Sequence, residues 1–173
     1  MDKTVSQPDL RPLPGRQGID PRGPRFSAGI TALLLAVDIV LGLVGFGSAG
    51  VRLAAWILLV VIALMFLWGA VAGVQRHPYG ALYRAVVRPR LAPPTELENP
   101  APPTFAQLVG LIITGLGVIL GIFFPVIVVI AAAFAFIAAF LNSVFGYCLG
   151  CQMYLLLVRA GVIGRSRGAG TAA

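Results

Sequence analysis

SAGITALLLAVDIVLGLVGF, residues 27–46, holds a single charge, Asp38, in a run of about the 20 residues that a helix needs to cross a hydrocarbon core of about 30 Å. Three further runs match it in length and carry no charge at all: Leu53 to Val74, Phe105 to Phe124 and Val126 to Tyr147. Around them the composition agrees. Of 173 residues, 58% are apolar and 11% charged, and the mean hydropathy is +0.93. Soluble domains run about 45–50% apolar and about 25% charged, so the excess apolar surface has to face lipid. The predicted fold class is an all-α membrane protein, four transmembrane helices in a compact bundle.

Charge sets the expected orientation. The formal net charge is +7, which in a soluble chain would suggest nucleic acid, but 12 of the 13 basic residues lie in three segments that flank the apolar runs on one side, and only Arg52 falls on the other. Lys3, Arg11, Arg16, Arg22 and Arg25 precede the first run, Arg76, Arg84, Arg88 and Arg90 follow the second, and Arg159, Arg165 and Arg167 follow the fourth. Basic residues near span ends stay cytoplasmic. Both termini and the loop 75–104 are therefore expected in the cytosol, with Gly47 to Arg52 and Pro125 outside, in a bacterial cytoplasmic membrane and without nucleic acid as partner. A cleaved secretory signal is the rival reading of the first run. Its polar leader and its length exceed those of an ordinary signal, so the run is expected to stay attached.

The flanks read differently. Residues 1–25, rich in proline and charge, are expected to be a disordered tail, the membrane domain to run from 26 to 158, and 159–173 to be a basic tail. In the loop, Tyr79, Leu82, Tyr83, Val86 and Val87 share a helical face, with Arg84 and Arg88 opposite. That pattern suits a short interfacial helix with its arginines toward headgroups, or an ordinary turn. Pro93, Pro94, Pro100, Pro102 and Pro103 then make an extended linker. Pro24-Arg25-Phe26 resembles Pro103-Thr104-Phe105, and Asp38 to Gly42 aligns with Gly117 to Gly121; a real repeat would be parallel, about an axis along the membrane normal.

Helices in lipid associate through small residues that let backbones approach. Thr31, Asp38, Gly42 and Gly45 form one such stripe, Gly110, Thr114, Gly117 and Gly121 a second, and Ala131, Ala135, Ala138, Asn142 and Gly146 a third; Gly69 and Gly73 lie on the second span.

Few residues offer chemistry. Asp38, mid-span, needs a partner or a proton, since a carboxylate there costs roughly 2.5–3.5 kcal/mol; a relay and a neutral carboxyl that donates a hydrogen bond to Thr114 are the two readings, with Asn142 the other intramembrane polar candidate. Cys148 and Cys151, the only cysteines, form a C-x-x-C near the end of the fourth span. A static disulfide is not expected in a reducing cytosol, and zinc needs four ligands, more than this pair and His77 supply, so no metal or cofactor is expected. Thiol exchange needs only the two thiols, provided that Gly146 or Gly150 breaks the helix and puts them at the positive end of a new one. His77 is expected as a headgroup contact. No nucleotide, zinc-protease or triad motif is present, and whether the chain is an enzyme stays open.

Residues 19–26 (IDPRGPRF), 87–91 with 94–98 and 105–107, and 142–151 (NSVFGYCLGC) together resemble a bacterial membrane family known as domain of unknown function 4395. The resemblance spans roughly residues 19–158 and implies a topology but no activity. It places the C-x-x-C on Cys148 and Cys151, and its association with sulfurtransferase and thioredoxin genes implies a cytosolic thioredoxin-like or sulfurtransferase partner. Three readings follow: a cytosolic-face thiol, disulfide or persulfide relay; a subunit of a small-solute transporter, such as one for a sulfur compound, oligomeric and with Asp38 in its path; and a scaffold for soluble partners.

Overall fold

The computed structural model describes residues 18–163, so the tails at 1–17 and 164–173, including Lys3, Arg11, Arg16, Arg165 and Arg167, lie outside the described residues. Six helices follow in order: α1 (Arg22–Val44), α2 (Ala49–Ala72), α3 (Pro78–Leu82), α4 (Ala101–Gly121), α5 (Val126–Phe145) and α6 (Leu149–Arg159). Among the described residues the only β pairing is one antiparallel bridge, Ile19 with Glu98. α1, α2, α4 and α5 are long and apolar enough to cross a membrane.

α5 starts at Val126 as expected, whereas α1 and α4 start earlier than hydropathy alone suggests, for a local reason. Asp20 accepts the Arg22 N–H at Oδ1 (3.0 Å) and Pro21 precedes the first turn, so α1 begins inside the stretch expected to be disordered. Asn99 does the same for Ala101 (3.0 Å), after which Pro102 and Pro103 sit in the first turn of α4. Proline is tolerated there because first-turn N–H groups have no helical partner.

The four long helices close a ring in which α1 packs on α2 and α5, and α4 packs on α2 and α5, leaving α1 and α4 diagonal. The small-residue stripes face inward. Asp38, Gly42, Thr114, Gly117, Gly121, Ala131 and Ala135 are buried around Leu35, Leu59 and Ile62. At Gly117 a Cβ would overlap the Ala131 methyl and stand 3.1 Å from Leu59 Cδ2, so α4 and α5 meet there only because the residue is glycine. The Trp56 indole ties α2 to α4 by donating to the Val118 carbonyl (2.9 Å). The outward faces are apolar, with Leu33 71% and Phe134 62% exposed. Water would penalise such a surface by about 25 cal/mol per Å²; lipid does not.

The ring has the neighbour pattern of a twofold axis along the bundle, the arrangement a parallel repeat requires. The capped starts Asp20-Pro21 and Asn99-Pro100 stand at the same spacing as Phe26 and Phe105, and the bridge pairs Ile19 with its own equivalent, Glu98, through two 2.9 Å hydrogen bonds. Each half adds a short helix after its second span: α3 packs on α1, and α6 on α4. A positive-φ glycine stands ahead of each, Gly73 (φ 82°) and Gly146 (φ 69°).

Candidate functional site

The bundle has two unlike ends. Arg22, Arg25, Arg76, Arg84, Arg88, Arg90 and Arg159 lie at the end where α1, α4 and α6 begin; Arg52 lies at the other, with Gly45 packed against it. The candidate chemistry gathers at the arginine-rich end.

α5 stops at Phe145 because Gly146 takes a left-handed conformation that other L-residues enter only at a penalty, and its N–H closes on the Asn142 carbonyl (3.1 Å). The Arg25 side chain lies over this glycine, a cation at the negative end of the helix, where it is favoured. Cys148 then caps α6, its sulfur accepting the Cys151 N–H at 3.3 Å. The two cysteines, both half-buried, are joined as a disulfide with their Cα atoms 5.2 Å apart. The break that reactivity requires is therefore made by Gly146 alone. Gly150 lies inside α6 and serves the packing instead. A Cβ there would stand 2.6 Å from Ala106 Cα, so the glycine lets α6 lie across the first turns of α4, where Tyr154 also meets Phe105. Leu149, Met153 and Leu156 face outward from α6 at helical spacing, an apolar stripe suited to the bilayer boundary.

His77 holds the corresponding capping place in the first half, and the expected headgroup contact is wrong. Its ring is turned inward and is 4% exposed. Nδ1 accepts the Tyr79 N–H (3.2 Å), which leaves the Nε2 proton for the Met65 carbonyl (3.1 Å). Burial holds the imidazole below its ordinary pKa, against the opposing pull of the Met65 carbonyl. The helix after it is not the single amphipathic face that spacing suggests, because α3 widens into a π turn at Tyr83–Val87 and then tightens over Arg88–Arg90. Only Tyr83 of that face is buried.

Tyr83 belongs to a cluster that hydropathy and spacing did not reveal. Arg22 grips both Asp20 oxygens, from Nε and Nη2, at 2.9 Å, and also reaches the Ala92 carbonyl, while the Tyr83 hydroxyl donates to Asp20 Oδ2 at 3.0 Å. Partial burial pushes the Asp20 carboxyl up, but the bonds from Arg22 and Tyr83 outweigh it and hold it below the usual carboxylate value. The signal in sequence was the paired Asp-Pro and Asn-Pro starts.

Within the bundle, Asp38 and Thr114 are both fully buried, yet they do not bond each other. The Thr114 hydroxyl donates to the Gly110 carbonyl one turn back (2.8 Å), and neither Asp38 oxygen has a hydrogen-bond partner. The expected Asp38–Thr114 bond fails because α1 and α4 are diagonal. Asn142 is far from both, in the last turn of α5. Among the described residues no three His, Cys, Asp or Glu side chains are grouped to hold a metal.

Comparison with curated proteins and with solved structures returned no match. A family model described as a domain of unknown function, DUF4395, matches residues 19–159, which takes in the capped start of α1, both short helices and the cysteine pair. With the match covering most of its length, the chain belongs to the DUF4395 family.

Proposed function

We propose that Cys148 and Cys151 are a membrane-anchored thiol–disulfide exchange centre, facing the cytosol, that trades disulfide or persulfide sulfur with a soluble thioredoxin-like or sulfurtransferase protein. The observation that carries this reading is the place of Cys148: it caps a fresh helix, accepts the Cys151 N–H and stands three residues from its partner. A helix N-terminus favours a thiolate by aligned N–H groups and dipole. In the exchange a partner thiolate attacks one sulfur of the pair, and the other sulfur leaves as a thiolate. The partner's second thiol then resolves the mixed disulfide, so that two electrons and two protons move from the partner dithiol to the pair. The arginine-rich end on which the pair sits supports a cytosolic placement. The test replaces one cysteine at a time: Cys148→Ser or Cys151→Ser should trap a soluble thiol protein as a mixed disulfide that a reductant releases. Absence of any trapped partner from both variants in native membranes would contradict the reading.

A second reading, a small-solute transporter subunit, is favoured by one observation. Asp38 is a buried carboxyl with no hydrogen-bond partner, and such a group costs free energy that folding alone does not repay. A cleft at the opposite end, floored by Gly42 and Gly121 and bordered by Arg52, lies one helical turn from it. Solute flux into vesicles, lost in Asp38→Asn, would support this reading; unchanged flux would remove it.

A further inference from the structure

A half-enclosed cleft of about 380 Å³ opens at the arginine-rich end between α1, α3 and α4, under the bridge that pairs Ile19 with Glu98. Its charge is unbalanced. Asp20 lines it, but both carboxylate oxygens are already committed to Arg22 and Tyr83. His77 lines it as a neutral ring, both nitrogens in use. Ser27 spends its proton on the Gly23 carbonyl. Arg84 and Arg88 also line the cleft, and neither has an acidic partner among the described residues. The half-buried Gln107 also lines the cleft, its side chain packed against Gly69, and its amide has no hydrogen bond among the described residues. Two uncompensated guanidiniums and a side-chain amide thus line one volume, in a size range that holds a small ligand.

Guanidinium forks match the geometry of tetrahedral oxyanions and bind them through paired charge-assisted hydrogen bonds. We propose that this cleft binds a phosphate-class oxyanion, held by the Arg84 and Arg88 guanidiniums with the Gln107 amide as a further donor. The chemistry is common to a free phosphate and to the headgroup of an anionic phospholipid at the same depth. This site is independent of the cysteine pair, and neither proposal depends on the other.

The experiment uses the full chain in nanodiscs. In one arm the discs are phosphatidylcholine and inorganic phosphate is titrated; in the other no phosphate is added and phosphatidylglycerol replaces part of the phosphatidylcholine. Thermal unfolding is followed in both, for the native chain, Arg84→Gln with Arg88→Gln, Gln107→Leu, and a control, Arg90→Gln with Arg159→Gln, that removes the same charge outside the cleft. A saturable response to phosphate, weakened tenfold or more by the cleft pair and spared by the control, identifies a free oxyanion as the ligand. A stabilisation by phosphatidylglycerol alone, lost in the cleft pair and kept in the control, identifies a lipid headgroup. Equal loss in cleft and control variants, or no response in either arm, overturns the proposal.

Discussion

The Gly150 backbone in α6 lies against Ala106 in α4 so closely that a methyl group at Gly150 would stand 2.6 Å from both the Cα and the Cβ of Ala106. This contact, with the Tyr154–Phe105 ring pair beside it, fixes α6 and hence the cysteine pair to the bundle. Gly150→Ala should therefore force α6 away from α4 and destabilise the fold by about 1–3 kcal/mol, the usual penalty of overpacking. Faster amide exchange confined to α6 is the expected readout; an unchanged exchange pattern would count against the contact.

Gly146 should respond for a different reason. Ala at a left-handed position costs about 1–2 kcal/mol, and it would favour running α5 on toward the cysteines. Gly146→Ala is expected to slow alkylation of the reduced pair, with the larger loss below the ordinary thiol pKa of about 8.5. Alkylation equal to that of the native chain across the pH range would show that the break does not govern reactivity.

Asp38 has no hydrogen bond to lose, so Asp38→Leu, which keeps the branching, adds methyl bulk and removes the desolvation penalty of an unpartnered polar group, should stabilise the bundle by about 1–3 kcal/mol less what the added volume costs. Thr114→Val should change stability little, since the hydroxyl serves only its own helix. Unfolding of both variants in detergent checks this. A destabilised Asp38→Leu would mean that the carboxyl has a partner.

His77 gives the fold a pH dependence. Because burial lowers its folded pKa, the neutral ring contributes stability that is fully present above the unfolded value of about 6.5 and falls as pH drops toward the folded one. Asp20 acts lower: its folded pKa is depressed, so its contribution is complete above about 3.9 and fades as pH falls through the folded value. Stability should decline in two stages on acidification, and His77→Gln should remove the first. A single acid transition identical in both proteins would contradict the assignment.

Hydropathy made the four spans legible because lipid demands uninterrupted apolar helix, and small residues marked their inward faces, as Gly117 against Ala131 shows. Helix ends were less legible: Asp20 and Asn99 start α1 and α4 earlier by capping, a local bond that averaged hydropathy does not register. The diagonal placement of α1 and α4 depends on pairwise packing across the whole ring, so the partner assigned to Asp38 was wrong although its burial was right. At the cysteines the need for a break could be read from two glycines, but only backbone conformation separates Gly146, which makes the break, from Gly150, which docks the helix after it. His77 was misjudged because a polar residue beside a span end has two ways to satisfy its nitrogens, and here the carbonyl of Met65 competes successfully with water.

Above all, the Cys148–Cys151 pair is expected to exchange between dithiol and disulfide on the cytosolic face. The most direct test equilibrates inverted and right-side-out vesicles with graded mixtures of oxidised and reduced dithiothreitol, then counts the thiols open to an impermeant maleimide. The expected result is a reversible two-electron transition, with both thiols labelled together and only in inverted vesicles. Labelling only in right-side-out vesicles, or a pair that neither closes under oxidant nor opens under reductant, would contradict it.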